Sequence, residues 1–200
     1  MAAAKVKTKV RQAQITQAAR SILAKGGFGD LTISAIAKRV GMADSNVYRH
    51  FRNKEAVIDS IILDTKSSLM GMVKEVCQEK KDAASRLEKI FYRHTSFMEK
   101  HTDLPVILFS CKLSGHGGEI IEKISCGIKG YMGAIERILE QGVKEGEFER
   151  ELDVETAAVT FIGLVQFLLL QWMVLGFPMH PSQRGKKVWP IYLKGISRKG

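Results

Sequence analysis

Between Lys9 and Lys25, apolar residues fall at Ile15, Ala18, Ala19, Ile22 and Leu23, the i, i+3, i+4, i+7 spacing of an amphipathic helix. Gly26-Gly27 ends it, because glycine adopts the left-handed conformation that closes a helix. Phe28 and Leu31 then read as core residues bracketing a turn at Gly29-Asp30. Thr32 suits the N-cap of a short helix Ile33–Val40 whose Ile33, Ile36, Ala37 and Val40 share one face. Gly41 stops that helix. Asp44 or Ser45 is expected to cap another, running to about Phe51 and held by Val47 and Phe51. After a turn at Arg52-Asn53, the pattern predicts a long helix from Lys54 to about Lys80.

The remainder repeats the same period. Asp82 caps a helix to Lys100, and Asp103 with Pro105 opens another, since proline fits a first turn. A loop over 115–118 precedes a helix from about Glu119 to Val143. Asp153 caps a helix ending near Gly176, and Pro178 and Pro181 mark a turn before a last helix to about Gly195. The expected fold is all-α: an N-terminal three-helix helix-turn-helix domain over residues 1–53 and a larger helical domain over 54–200.

Charge gives this architecture a direction. Residues 1–60 carry eleven Lys/Arg against four Asp/Glu, a net of +7, residues 61–183 fourteen against seventeen, a net of −3, and residues 184–200 six against none. The whole chain, at +10, is basic mainly at its ends. Basic chains of this kind meet polyanions. In the first sixty residues the excess coincides with two short helices joined by a glycine-containing turn, the arrangement that carries a recognition helix into a DNA major groove. Its exposed positions are expected at Asp44, Ser45, Asn46, Arg49 and His50, with Lys38, Arg39, Arg49, Arg52 and Lys54 on both sides to meet phosphates. Basic residues of the tail suit solubility.

Other chemistry is thinly represented. Three cysteines (Cys77, Cys111, Cys126) suit reduced thiols rather than a disulfide framework. His94, His101, Cys111, His116 and Cys126 lack the paired spacing of metal ligands. No G-x-S-x-G, P-loop, dinucleotide fingerprint or H-E-x-x-H occurs, so neither an enzyme nor a cofactor is expected. No apolar stretch of signal-peptide type follows the basic start, and the expected location is the cytoplasm.

The segments AARSILAKGGFGDLTISAIAKRVGM (18–42) and NVYRHFRNKEAVI (46–58) resemble the DNA-binding domain of the tetracycline-repressor (TetR/AcrR) family of bacterial regulators. The resemblance is carried by T-x-x-x-I-A-x-x-x-G from Thr32 and, after six residues, Y-x-H-F-x-x-K from Tyr48. It implies that Thr32 caps the second helix and touches phosphate, that Tyr48, His50 and Lys54 contact phosphates, and that the positions before Tyr48 face bases. Two departures stand out. Ala43 occupies the place where the family often has serine, and Asp44 a place that is often basic or small. An acid there can accept from cytosine N4 while repelling phosphate.

Thr156–Gln183 contains no Asp, Glu, Lys or Arg, and FIGLVQFLLLQWMVLGF within it is nearly continuous apolar surface. Its length would span a bilayer. A helix apolar all round is equally one buried by its own core on one side and a partner on the other, and that is the expectation here. The resemblance implies a four-helix dimer interface from the last two helices of each subunit. Phe167, Leu168 and Trp172 are candidate interface residues. Phe91, Phe97, Met98, Phe109, Phe161 and Trp172 are candidates to line an apolar ligand pocket. The expected protein is a homodimeric transcriptional regulator, a repressor that binds palindromic double-stranded DNA and is released by a small hydrophobic effector. The alternative is a DNA-binding protein with a structural or cell-division role and no effector.

Overall fold

The computed structural model describes residues 2–114, 118–176 and 178–198, with side chains beyond residues 2–7, 108–109 and 111–114. Among the described residues the chain forms α-helices and no strand: α1 (Ala2–Gly26), α2 (Ile33–Val40), α3 (Asp44–Tyr48), α4 (Lys54–Cys77), α5 (Ala83–Lys100), α6 (Asp103–Ser114), α7 (Gly118–Glu145), α8 (Val154–Val174) and α9 (Pro181–Ile196). They group into two compact units, Met1–Lys66 with His101–Ser125, and Ser67–Lys100 with Cys126–Gly200.

This grouping differs from a single boundary after residue 53. The first unit takes in α6 and the start of α7, because Ile107 and Ile120 join Ile15, Leu23, Leu31, Ile36, Val47 and Ile58 in one core. A buried ion pair binds α6 to α1 as well: the Arg20 guanidinium donates to Asp103 Oδ2 at 2.7 Å, and to the Ile61 carbonyl and Thr65 Oγ1 at 3.0 Å each.

Within that unit the local signals act as expected for α2. Thr32 Oγ1 accepts from the Ala35 amide at 3.0 Å. Gly41 closes the helix at φ 74, and the Met42 amide reaches back to the Ala37 carbonyl at 3.0 Å. The start of α3 differs from expectation. Its N-cap is Ala43, which offers no side-chain acceptor, so neither Asp44 nor Ser45 caps and both lie in the first turn. Val47 (0% exposed) and Phe51 (8%) fix this register by plugging into the core. α3 ends at Tyr48 rather than Phe51. Asn53, read as a turn residue, caps α4 by accepting from the Ala56 amide at 2.9 Å.

The second unit is organised around aromatic rings. Phe91 of α5, Phe161 of α8 and Trp189 and Tyr192 of α9 pack with centroids 5.4–6.3 Å apart, mostly edge to face. Tyr192 Oη donates to the Ala157 carbonyl at 3.0 Å and locks α9 to α8. Asp153 caps α8 through the Thr156 amide and hydroxyl; these bonds hold its carboxyl below the usual carboxylate range. Gly185 lets α9 approach α5 closely, since a Cβ there would sit 3.2 Å from the Phe91 ring, a tight contact.

Candidate nucleic-acid interface

Helices α1 and α2 pack as a brace under α3, and the N-terminus of α4 lies next in the chain. Asp44, Ser45, Asn46 and Arg49 are exposed along α3, and Tyr48 is 55% exposed. His50 departs from the expectation of full exposure. It is half-buried, and its Nδ1 is enclosed without a hydrogen-bond partner among the described residues.

The flanking cations divide by tether. Lys38, Arg49 and Arg52 are exposed. Arg39 Nη2 donates to Ser21 Oγ of α1 at 2.6 Å, so its guanidinium is held against the brace. Lys54 is half-buried with its ammonium 5.0 Å over the Phe28 ring, a cation–π contact that fixes where its charge points. Ser21, which the sequence pattern did not single out, thus supports this face together with Phe28, read only as core, and Asn53, read only as a turn residue. Thr32 is exposed at the N-terminus of α2, with its hydroxyl oxygen engaged in the cap.

If Lys54 meets a phosphate, Lys54→Ala is expected to weaken all duplexes about equally and to lower the salt slope of binding by about one per subunit. A loss confined to one preferred sequence in salt-dependent titrations would assign Lys54 to base reading instead.

The pocket candidates lie in different surroundings. Phe91 and Phe161 are fully buried in the aromatic cluster, Met98 is 5% exposed, and Phe97 is half-buried. Trp172 lines a small cleft with Leu168, Gln171, Met179 and Arg184, whose internal space of about 10 Å³ holds no more than one water. Its ring lies 5.3 Å from that of His180, and Glu99 Oε1 accepts from His180 at 2.7 Å. The Phe109 side chain lies outside the described residues, as do the side chain of Cys111 and the whole of His116. Among the described residues no three His, Cys, Asp or Glu side chains converge as a metal site.

α8 has two faces. Ala157, Ala158, Phe161, Val165, Leu168 and Leu169 are buried within the subunit. Val159, Phe167, Leu170 and Val174 form an exposed stripe on the other side, with Phe167 at 55% and Val174 at 67% exposure. Ile191 of the adjoining α9 is 75% exposed. Of the interface candidates, Phe167 lies on the open face, whereas Leu168, about 100° around the helix, is 6% exposed on the buried one. α8 is long and apolar enough to cross a membrane, with a mean hydropathy of 1.9. One face of α8 is thus buried within the subunit while the other presents apolar side chains in the open.

Residues 15–61 match the model for bacterial regulatory proteins of the tetR family, and residues 64–193 match the model for the YsiA-like protein C-terminal region. The chain is similar to the fatty acid metabolism regulator protein of Bacillus subtilis, with 28% identity over 93% of this chain and 95% of that one. It is similar to the nucleoid occlusion factor SlmA of Marinomonas, with 23% identity over 93% and 94%. Its structure resembles that of FadR from Bacillus subtilis in complex with stearoyl-CoA, at TM-score 0.77 and 25% identity over 92% of this chain and 98% of that one. The helix-turn-helix over α2–α3 and the helical remainder are matched in order along the chain, and the chain belongs to the tetR family of bacterial regulatory proteins.

Proposed function

We propose that this protein is a homodimeric, cytoplasmic repressor that binds an inverted-repeat operator and releases it on binding a long-chain acyl thioester. The observation that carries the reading is the pairing of an open polar recognition helix in one unit with an open apolar helix face in the other. A single five-residue helix makes too few base contacts to hold DNA alone. Two copies joined through α8 and α9 would present two such helices, and the second half-site then binds at high effective concentration. The recognition helices must sit about 34–36 Å apart to enter successive major grooves. An effector that prefers a subunit arrangement with another spacing lowers DNA affinity tenfold for every ~1.4 kcal/mol of preference. The acyl thioester is suggested by the relative crystallised with stearoyl-CoA.

In this reading Asp44, Ser45 and Asn46 face bases, while Thr32, Tyr48, Arg49, His50 and Lys54 hold the backbone. Selection from random duplexes is expected to return an inverted repeat with half-site centres one helical turn apart. Asn46→Ala should relax one or two base pairs per half-site, at a cost of about 1–3 kcal/mol on the best sequence. An asymmetric motif, or one unchanged by Asn46→Ala, contradicts the assignment. Similarity to a nucleoid occlusion factor along nearly the whole chain favours a second reading, a cell-division role without effector. A binding map with many dispersed chromosomal sites, insensitive to acyl-CoA, would support that reading.

A further inference from the structure

The basic start of the chain has no part in the site described above. No Asp or Glu precedes Asp30, and Lys5, Lys7, Lys9 and Arg11 alternate along the first turns of α1. That helix runs unbroken from Ala2 through all four cations, and its first buried residue is Ile15. Residues 2–14 therefore form an extension about 20 Å long, at 1.5 Å per residue. They also precede residues 15–61, the span matched to the tetR family.

The extension does little for its own subunit. Along Thr8–Gln14, Gln12 is half-buried and the rest are exposed. The Arg11 guanidinium donates to Gln14 Oε1 at 2.9 Å, a neutral acceptor that leaves its charge in place. Lys5 and Lys9, and likewise Lys7 and Arg11, are four residues apart, the spacing at which like charges on a helix repel. Cations near a helix N-terminus also oppose its dipole. This pattern disfavours the free helix and suits a polyanion beside it.

The point where the extension leaves the core lies close to the DNA-reading elements. Thr16 is buried, and its Oγ1 lies 3.1 Å from Ser60 Oγ on α4. Ser60 is about 9 Å of helix beyond Lys54, the first residue of α4, and Arg11 about 7.5 Å of helix before Thr16. We propose that residues 2–14 are a second DNA-binding element, in which Lys5, Lys7, Lys9 and Arg11 contact backbone phosphates just outside each half-site. The inference rests on the operator reading given above and lengthens the stretch of duplex that is held. Three of the four cations are lysines, point charges on flexible stems that suit phosphates better than base edges. An extension of about 20 Å passes about six phosphates of one strand.

The test uses the full chain and two duplexes. One is the inverted repeat that selection returns, trimmed at the outer edges of its half-sites, and the other is the same repeat with one helical turn of flank added on each side. The wild type should bind the flanked duplex at least about tenfold more tightly, with a salt slope steeper by about two to four per subunit, since each phosphate neutralised adds about 0.9. Flanks of two unrelated sequences should give the same gain. The variant Lys5→Gln/Lys7→Gln/Lys9→Gln/Arg11→Gln should bind the two duplexes within about twofold of each other, and the trimmed one as the wild type does. The variant Lys5→Arg/Lys7→Arg/Lys9→Arg keeps the charge and should keep the flank preference. Because no described side chain before Ile15 is buried, the urea midpoint of the glutamine variant should match that of the wild type. Indifference of the wild type to the flanks overturns the proposal, as does a flank preference that survives in the glutamine variant or is lost in the arginine variant. A gain that follows the flank sequence overturns the phosphate assignment. A lowered urea midpoint in the glutamine variant makes the extension a structural part of the first unit and overturns the proposal too. Binding of neither duplex by the wild type instead removes the operator reading, and the extension's role with it.

Discussion

Replacing Phe167 by glutamate is expected to split the dimer while leaving the subunit folded. Phe167 is 55% exposed at the middle of the α8 stripe, so the charge is tolerated by the isolated subunit. Across a symmetric interface the change occurs twice. Each lost phenylalanine removes about 1.5–3 kcal/mol of burial, which together weakens self-association by about two to four orders of magnitude before any cost of confronting carboxylates. Sedimentation should then report monomer at micromolar concentration with unchanged helicity, and operator affinity should fall because each half-site contact is weak alone. Leu168→Glu, one residue along, is expected to unfold the second unit instead, since Leu168 is 6% exposed inside its own subunit. If Phe167→Glu remains dimeric and binds DNA normally, the interface lies elsewhere.

The second large effect lies at Arg20 and Asp103. The guanidinium is enclosed by Asp103, the Ile61 carbonyl and Thr65, with His101 Nδ1 at 3.3 Å. The side chains are only 8% and 4% exposed. Asp103→Leu strands this cation in the core of the first unit and should cost about 3–5 kcal/mol by urea denaturation. Arg20→Met combined with Asp103→Leu removes both charges and should recover most of the loss. A double variant as unstable as the single would show that the pair acts through shape rather than charge. Because α1 braces α2 and α3, the single variant should also lose DNA affinity at temperatures where the first unit begins to open.

What the sequence made legible follows from how local each signal is. Thr32 and Gly41 bound α2 because a cap hydroxyl and a left-handed glycine act within four residues of the helix they end. The start of α3 was less legible. Asp44 and Ser45 are good caps by chemistry, but the register is set by Val47 and Phe51 entering a core assembled from distant residues, and that leaves Ala43 at the cap. α1 begins at Ala2 rather than Lys9, since helix propensity in an alanine-rich start extends it beyond its apolar stripe.

Phe167 and Leu168 could not be divided from sequence because periodicity marks a buried face only against polar residues, and α8 is apolar on both faces. Arg20 and Asp103 are 83 positions apart, and the sequence reads Asp103 only as the start of a helix and gives Arg20 no partner until the two helices meet. The same pairing ties α6 to the first compact unit, a link that chain order alone does not signal. The resemblance marked Lys54 as a phosphate candidate, whereas the Phe28 ring beneath its ammonium was read only as core.

The most direct measurement is a titration of the wild-type protein against a DNA fragment from beside its own gene, with and without saturating stearoyl-CoA. The account predicts protection of an inverted repeat by a dimer and at least a tenfold fall in affinity when the acyl-CoA is present, a coupling of about 1.4 kcal/mol. Operator affinity that stays unchanged while calorimetry shows the acyl-CoA bound would contradict it.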